Sequence, residues 1–313
     1  MIQVHKYSES DFASWNDFVA SAKKTHFMFN RNFMDYHKDR FTDSSLMIRK
    51  DGDLIALLPA NISDDVLYSH QGLSFGGIIC NKQMSTPLML EVFESIIGWS
   101  KTAGVSKIIY KQVPDFYSEV PSSEDTYALF RSNANLIRID VTSLINMHDR
   151  IEFSSRRKRG LKNAAKHEVT VSQNSEIEGF YKELSEVLLA RHNAKPVHTL
   201  EEMKLLMSRF PENIKLFTAH IGAEKEVLAG VWVFEGDNWA HAQYIVSSQK
   251  GRDCNALDML FDRLINSFYS TKHWFDFGIS TESQGKVLNY GLVTQKEEFG
   301  ARAAVHKFWE IFI

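Results

Sequence analysis

Hydrophobic and polar positions along this chain follow two rhythms, and the rhythm changes often. Between Asp11 and Ala22, Phe12, Trp15, Phe18 and Val19 recur at spacings of three, three and one, which puts them on one face of a helix. Phe33–Phe41 predicts a second, short helix. The pattern then switches: Ser45–Lys50 reads as a strand, Asp51-Gly52 as a hairpin turn, and Leu54–Ala60 as the returning strand. A further strand is predicted from Val66 to Phe75, ending at Gly76-Gly77. Ser85 or Thr86 can cap a helix with Pro87 in its first turn, an apolar stripe through Leu88, Val92, Phe93, Ile96 and Ile97, and Gly104 as its stop. Val105–Lys111 is a strand, and Phe116–Phe130 adds a short helix.

The second half gives a strand over Leu136–Val141, a helix over about Met147–His167 and a short strand over Val169–Ser172. Helices follow at Glu176–Arg191 and Leu200–Arg209. Three strands come next, Lys215–Ile221, Val227–Phe234 and Trp239–Val246, the last two joined by Gly236-Asp237-Asn238. A helix over Ala256–Tyr269, a strand over Trp274–Ile279, a helix over Lys286–Phe299 closed by Gly300, and a strand over Ala303–Phe312 complete the chain. The class is α/β, in its α+β form. The stretches 51–77 and 222–248 line up element by element with little side-chain identity, an architectural repeat at a period near 160 residues. Two domains are expected, 1–140 and 141–313, each a mixed central sheet flanked by helices.

Composition narrows the setting. The chain has 313 residues, 44% of them hydrophobic, enough for a substantial core. Cys80 and Cys254 are the only cysteines, which excludes a disulfide framework and a cysteine-rich zinc site. No apolar run reaches the ~18 residues of a membrane span, and MIQVHKYSESDF lacks the basic start and apolar core of a signal peptide. A cytoplasmic location is expected. The net charge of −3 gives no general attraction to nucleic acid, and no DNA partner is expected. The charge is nevertheless uneven. Residues 143–313 are neutral as a whole but hold the one dense basic run, Arg156-Arg157-Lys158-Arg159, with Lys162 and Lys166 after it. There is no G-x-S-x-G elbow, Walker loop or H-E-x-x-H motif, the histidines show no metal spacing, and no metal is expected.

Three segments carry a family resemblance. FDFGISTESQGKVLNYGLVTQKEEFGAR (275–302) resembles the strand, loop and helix ending in K-x-x-F-G of FemAB-like proteins. SSRRKRGLKNAAKHEVTV (154–171) is similar to the basic helix and strand of that group, and RHNAKPVHTLEE (191–202) to its linker. The element order resembles the GNAT acyltransferase fold, and the doubled order resembles the tandem GNAT-like halves of the FemAB-like group. The resemblance implies acyl transfer to an amine, such as an amino sugar or a cell-envelope precursor, small or nucleotide-linked. The implied donor is acyl-CoA, or alternatively aminoacyl-tRNA in peptidoglycan-bridge formation. A non-catalytic GNAT-like binding module is the third alternative.

Under this resemblance the second half holds the donor and the first half binds the acceptor. The splayed ends of the strands finishing at Val246-Ser247 and Ile279 would receive the amide-rich arm of the donor. The loop Gln249-Lys250-Gly251-Arg252-Asp253-Cys254-Asn255-Ala256 opens a helix, where unsatisfied N–H groups and the dipole suit a pyrophosphate. Gln249, Gly251, Arg252, Asn255 and Ala256 are its candidate contacts. Lys296 falls where GNAT proteins commonly carry a tyrosine acid, and a lysine there can stabilise an oxyanion or protonate a leaving group. Asn289 lies seven residues before Lys296, which predicts one shared helical face, with Tyr290 beside it. For a base, alternation along the strand places His241 and Gln243 on one side and Tyr244 on the other, with Asp276 in the next strand and Glu282 in the loop beyond. Arg156, Arg159 and Arg191 are the candidate cations for a substrate phosphate, with Gln243, Tyr244 and Glu282 as further substrate contacts.

Overall fold

The computed structural model describes residues 1–24, 26–222 and 226–313, with the side chains of Arg191 and His192 left out. Its contacts divide the chain into two compact units. One comprises Met1–Asp140, Ser283–Val287 and Val305–Ile313; the other comprises Val141–Glu282 and Leu288–Ala304. The C-terminal strand is thus divided, its last residues joining the first unit.

In the first unit, β1 (Ile2–Lys6) is followed by α1 (Phe12–Ser21), which buries Trp15, Phe18 and Val19 as the spacing predicts but leaves Phe12, in its first turn, exposed. A single turn of helix, α2 (Arg31–Met34), and a 3-10 stretch (Asp35–Arg40) replace the short helix expected over Phe33–Phe41. Next come β2 (Thr42–Asp43), β3 (Leu46–Lys50), β4 (Asp53–Leu58), β5 (Asn61–Ser63), β6 (Val66–Tyr68) and β7 (Ile79–Cys80). The strand expected to run on to Phe75 stops at Tyr68, because His70 adopts a left-handed φ of 62° that extended pairing cannot accommodate. α3 (Thr86–Thr102) is capped by the Ser85 hydroxyl; β8 (Lys107–Lys111) and α4 (Glu124–Arg131) follow. β1, β3, β4 and β7 form an antiparallel sheet. β8 pairs antiparallel with residues 308–312 and parallel with β6, which continues through β5 to β2. Leu46, Leu58, Val92, Ile108, Leu129 and Ile311 lie in one apolar core.

The second unit begins within β9 (Asn135–Asn146), which runs five residues beyond its expected end. The basic helix α5 (Ser155–Lys166) starts eight residues later than expected, at an N-cap where the Ser154 hydroxyl accepts the Arg157 N–H. Then come β10 (Val169–Asn174), α6 (Ile177–His192), α7 (Leu200–Arg209), β11 (Ile214–Ile221), β12 (Ala229–Glu235) and β13 (Trp239–Ser247). α8 (Gln249–Asp253) and α9 (Ala256–Arg263) precede β14 (Trp274–Ile279), β15 (Thr281–Glu282) and β16 (Val287–Leu288). α10 (Tyr290–Glu297) and β17 (Arg302–Phe312) end the chain. β10 to β13 form an antiparallel run, β13 pairs parallel with β14, and β14 pairs antiparallel with the end of β9. Phe261, Phe275, Phe277 and Phe299 anchor the core on one face of this sheet. Among the described residues each unit therefore shows a parallel pair within otherwise antiparallel pairing, β6 with β8 and β13 with β14.

Candidate active site

The parallel ladder of β13 and β14 has three rungs, Trp239↔Trp274, Ala240↔Phe275 and His241↔Asp276, and stops there. Each strand carries a bulge just beyond the last rung. Against β12, Val233 faces Ala242 and Trp232 faces Tyr244, so Gln243 is the extra residue. Against β9, Asp276 faces Leu144 but Ile279 faces Thr142, so β14 gains a residue at Phe277-Gly278. A bulge bends its strand and increases its twist. Two bulges placed after a shared rung therefore separate the strands. Gly278 is needed for this: its φ is 76°, and a Cβ added there would meet His241 Cε1 at 3.3 Å.

The bulge also corrects a prediction. Cross-strand partners project from the same face of a sheet. His241 faces Phe234 and Tyr244 faces Trp232, two residues apart on β12, so His241 and Tyr244 share a face. Simple alternation had separated them and grouped His241 with Gln243; the extra residue inverts the parity.

At the vertex, His241 Nδ1 lies 2.8 Å from Asp276 Oδ2. Asp276 is fully buried, and its Oδ1 accepts the Thr142 hydroxyl at 2.5 Å and the Gly278 N–H at 2.9 Å. Three strands, β9, β13 and β14, thus converge on one carboxylate that accepts from its neighbours, as an ionised carboxylate does. An ionised aspartate only accepts, so Nδ1 carries the imidazole proton and Nε2 keeps its lone pair. That is the tautomer a general base requires.

Lys296 comes from α10 and is buried at 4% exposure. Its ammonium donates to Gly278 O at 2.7 Å, Ile279 O at 2.8 Å and Ser280 Oγ at 3.0 Å. Two of the three are backbone carbonyls at the end of β14, beyond the last rung of its ladder with β13. Burial pulls the amine down to about 8, against the opposing influence of the Asp276 carboxylate. A solvated helix lysine would show neither feature.

The other expected residues are placed as follows. Asn289 stands just outside the helix that carries Lys296, as the N-cap of α10, its Oδ1 accepting Leu292 N–H at 3.0 Å and its Nδ2 donating to Glu282 Oε1 at 2.8 Å. The helix expected from Lys286 starts at Tyr290 for that reason, and Tyr290 is exposed. Tyr244 stacks on Trp232, meets His198 Nδ1 at 2.8 Å through its hydroxyl, and has its phenol pKa raised by burial.

In the expected donor loop, residues 249–253 form the short helix α8, capped by Ser248 Oγ on the Gly251 N–H. Val246 is paired with Gly230 in the ladder, and Ser247 Oγ donates to Leu228 O at 3.4 Å. Gly251 is buried against backbone: an added Cβ would sit 1.9 Å from Leu228 O, so its smallness serves packing. Arg252 donates to Ser247 O at 2.5 Å and Gln249 Oε1 at 2.7 Å. Asn255 adopts φ 57° at the start of α9, where Ala256 is buried, and its amide oxygen accepts Asn163 Nδ2 at 2.9 Å. These groups are tied to one another in the structure, more closely than an open anion cradle requires.

The basic run divides. Arg156 is exposed, with Glu298 at 3.5 Å, and Arg159 is exposed. Arg157 turns into the interior. The side chain of Arg191 lies outside the described residues. Sequence reasoning missed Thr142, Ser280 and His198 as members or neighbours of the site. One available signal was a glycine inside an otherwise regular strand, Phe275-Asp276-Phe277-Gly278-Ile279, which points to a bulge. Among the described residues no group of three or more His, Cys, Asp or Glu is arranged to hold a metal, and no helix is long and apolar enough to cross a membrane.

Residues 152–286 match the family described as acetyltransferase (GNAT) domain. No curated protein matches the chain in sequence. Among solved structures, FemX is 11% identical, with a TM-score of 0.69 over 99% of this chain and 97% of FemX. The C-terminal domain of a candidate lysylphosphatidylglycerol synthetase from Agrobacterium fabrum is 11% identical, with a TM-score of 0.62 over 96% of this chain and 92% of that one. A tandem GNAT protein from the clavulanic acid biosynthesis pathway is 9% identical, with a TM-score of 0.52 over 99% of this chain and 98% of that one. At these identities the likeness is one of fold. The chain therefore has the FemAB-like tandem GNAT fold, with a GNAT domain over residues 152–286.

Proposed function

We propose that this chain, a GNAT domain within a FemAB-like fold, is an acyltransferase that moves an acyl group from acyl-CoA to an amine of an amino sugar or cell-envelope precursor. The observation that carries the reading is the parting of β13 and β14 with His241 and Asp276 at its vertex and Lys296 on its β14 side. Backbone groups of residues 244–247 on the β13 side supply the pairing edge for the amide arm of the donor. The donor carbonyl then lies near the vertex. His241 Nε2 takes a proton from the acceptor ammonium, Asp276 holds the ring and balances the imidazolium, and the free amine attacks the carbonyl. Negative charge develops on the acyl oxygen. Lys296 meets it by giving up its longest bond, to Ser280 Oγ, while the two carbonyls keep its Nζ in place. As the tetrahedral adduct collapses, the C–S bond breaks, the sulfur takes up the second proton shed by the attacking nitrogen and leaves as the free thiol, and the new amide remains.

The 141–313 part carries donor and chemistry in this reading, and the 1–140 part binds the acceptor. Arg252 and Gln249 contact the donor phosphates by exchanging their present partners, and Arg156 and Arg159 offer exposed cations to a nucleotide-linked acceptor. A second reading, an aminoacyl-tRNA donor, draws on the whole-chain likeness to FemX and on the internally bonded loop at 249–253. Thermal-shift and turnover measurements with acetyl-CoA, longer acyl-CoAs and charged tRNAs separate the readings. Stabilisation and amide formation with an acyl-CoA are expected. Turnover with charged tRNA alone would replace the donor, and silence across the panel, with amine acceptors present, would favour a binding module.

A further inference from the structure

The basic run that marks α5 sends one residue inward. Arg157 Nη1 donates to Asp258 Oδ1 of α9 at 2.6 Å, and its Nη2 lies 2.8 Å from Glu298 Oε2, one residue past α10. Its guanidinium carbon sits 4.6 Å from the centroid of the Phe299 ring. Two neighbouring contacts join the same segments: the Ser154 N–H donates to Glu298 O at 2.8 Å, and Phe153 packs edge-on against Phe299 at 5.3 Å between centroids. Residues 153–157 thus grip residues 298–299 by backbone, ring and charge. Lys296 lies two residues before Glu298 on the same turn.

We propose that Arg157 is a positioning residue for Lys296: by bridging Asp258 and Glu298 it fixes the end of α10, and with it the point at which the lysine ammonium meets the β14 carbonyls. The functional half of this inference rests on the part given to Lys296 in the proposed reaction; the placement half does not. Arg157 suits the task because its planar fork reaches carboxylates on two different elements at once, which a lysine ammonium cannot reproduce with the same geometry. Asp258 is 3% exposed, and burial raises its pKa while the arginine opposes that. Without the cation, two shielded carboxylates would face each other behind α10, and the end of the helix would move to solvate them. The run is therefore not a uniform phosphate-binding patch: one member holds the site together from inside.

Arg157→Met and Arg157→Lys test the proposal. Circular dichroism first establishes that each variant is folded. Lys296 is then titrated by isotope-labelled lysine NMR, its signal assigned by its loss in Lys296→Met. The charged groups to account for are Asp276 on β14, His241 on β13, and Glu297 and Glu298 beside the lysine. Both variants are expected to move the Lys296 titration upward, toward the ordinary lysine value, as the ammonium leaves its buried seat and regains water. The expected loss in kcat is about a hundredfold, with KM within about threefold, the cost of a misplacement near 1 Å. Because Arg157→Lys keeps the charge, a shift in that variant reports placement and not Coulomb repulsion. A folded Arg157→Lys in which Lys296 titrates as in the parent overturns the proposal, whatever Arg157→Met does. If neither arginine variant folds, Glu298→Gln cuts only the α10 arm of the bridge and is read in the same way. A parent without turnover on any donor sinks the enzymatic reading and leaves the titration as the judge of placement.

Discussion

The two units each contain one parallel strand pair of three rungs, and the pairs end differently. In the first unit, β6 and β8 pair from Val66↔Lys107 to Tyr68↔Ile109. Beyond that rung the chain closes on itself. Ser69 N–H donates to Ile109 O at 2.9 Å, Ser69 Oγ accepts Lys111 N–H at 2.6 Å, and Gly76 N–H donates to Lys111 O at 2.8 Å. The Lys111 ammonium is buried too, on Leu73 O of the same loop. In the second unit the equivalent gap stays open, and the carbonyls of Gly278 and Ile279 are taken by a side chain from distant α10. Both ends satisfy their polar groups, as buried backbone must. The difference lies in who satisfies them. The first end is closed by backbone and side chains of its own loop and strand, whereas the second is closed by a lysine brought in from another element, α10. A repeated architecture thus ends one parallel pair in a self-bonded loop and the other in the place to which the proposed chemistry is assigned.

The sharpest way to break this contrast is to remove the base. His241→Ala is expected to lower kcat/KM by about 10²–10⁴, since a positioned base contributes on that order. Steady-state kinetics with the active donor check this, and an unchanged rate would return His241 to a structural role.

Lys296→Met is expected to lower kcat by about a hundredfold or more, with a smaller change in KM. Lys111→Met, its counterpart in the closed unit, should leave kcat within a few-fold of the parent. Equal losses in the two variants, measured side by side, would mean that the units do not differ as described.

The two lysines also predict how stability depends on pH. Burial lowers Lys111 to about 7 and Lys296 to about 8, from an ordinary value of 10.5. Between each folded value and 10.5 the unfolded chain binds more protons, so stability rises with pH across that window and is flat below it. Each methionine variant should flatten part of that rise. Urea midpoints measured from pH 6 to 10 read it directly, and a slope unchanged in both variants would count against buried, displaced amines.

Gly278→Ala should cost about 1–3 kcal/mol of stability, because a left-handed φ disfavours any Cβ, and should lower activity by crowding His241. Chemical denaturation checks the first part. The smallest effect is expected at Arg252: a charge reversal to Glu should weaken acyl-CoA binding several-fold by calorimetry, since its guanidinium must first leave Ser247 O and Gln249. Unchanged affinity would place the donor phosphates elsewhere.

Local rules made much of this legible in advance. The apolar stripes of α1 and α3, the Asp51-Gly52 hairpin and the order of strands in the second half follow from periodicity and turn chemistry that act within a few residues. The candidates His241 and Asp276 were reachable as polar residues on strands, and Lys296 through its position in the segment that resembles the family. Boundaries were less so. A capping residue such as Asn289 or Ser154 ends a pattern that could as well have continued. The sequence by itself determined the doubled α/β order and which residue types were available for acyl chemistry, because both rest on short-range pattern and composition. Only the tertiary structure decided that His241 and Tyr244 share a face, that Asn289 caps a helix, that Arg157 is internal, and that Lys296 finds its acceptors on β14. Each depends on a bulge, a cap or a pairing whose partner lies elsewhere in the chain, and such long-range register is invisible to any local window.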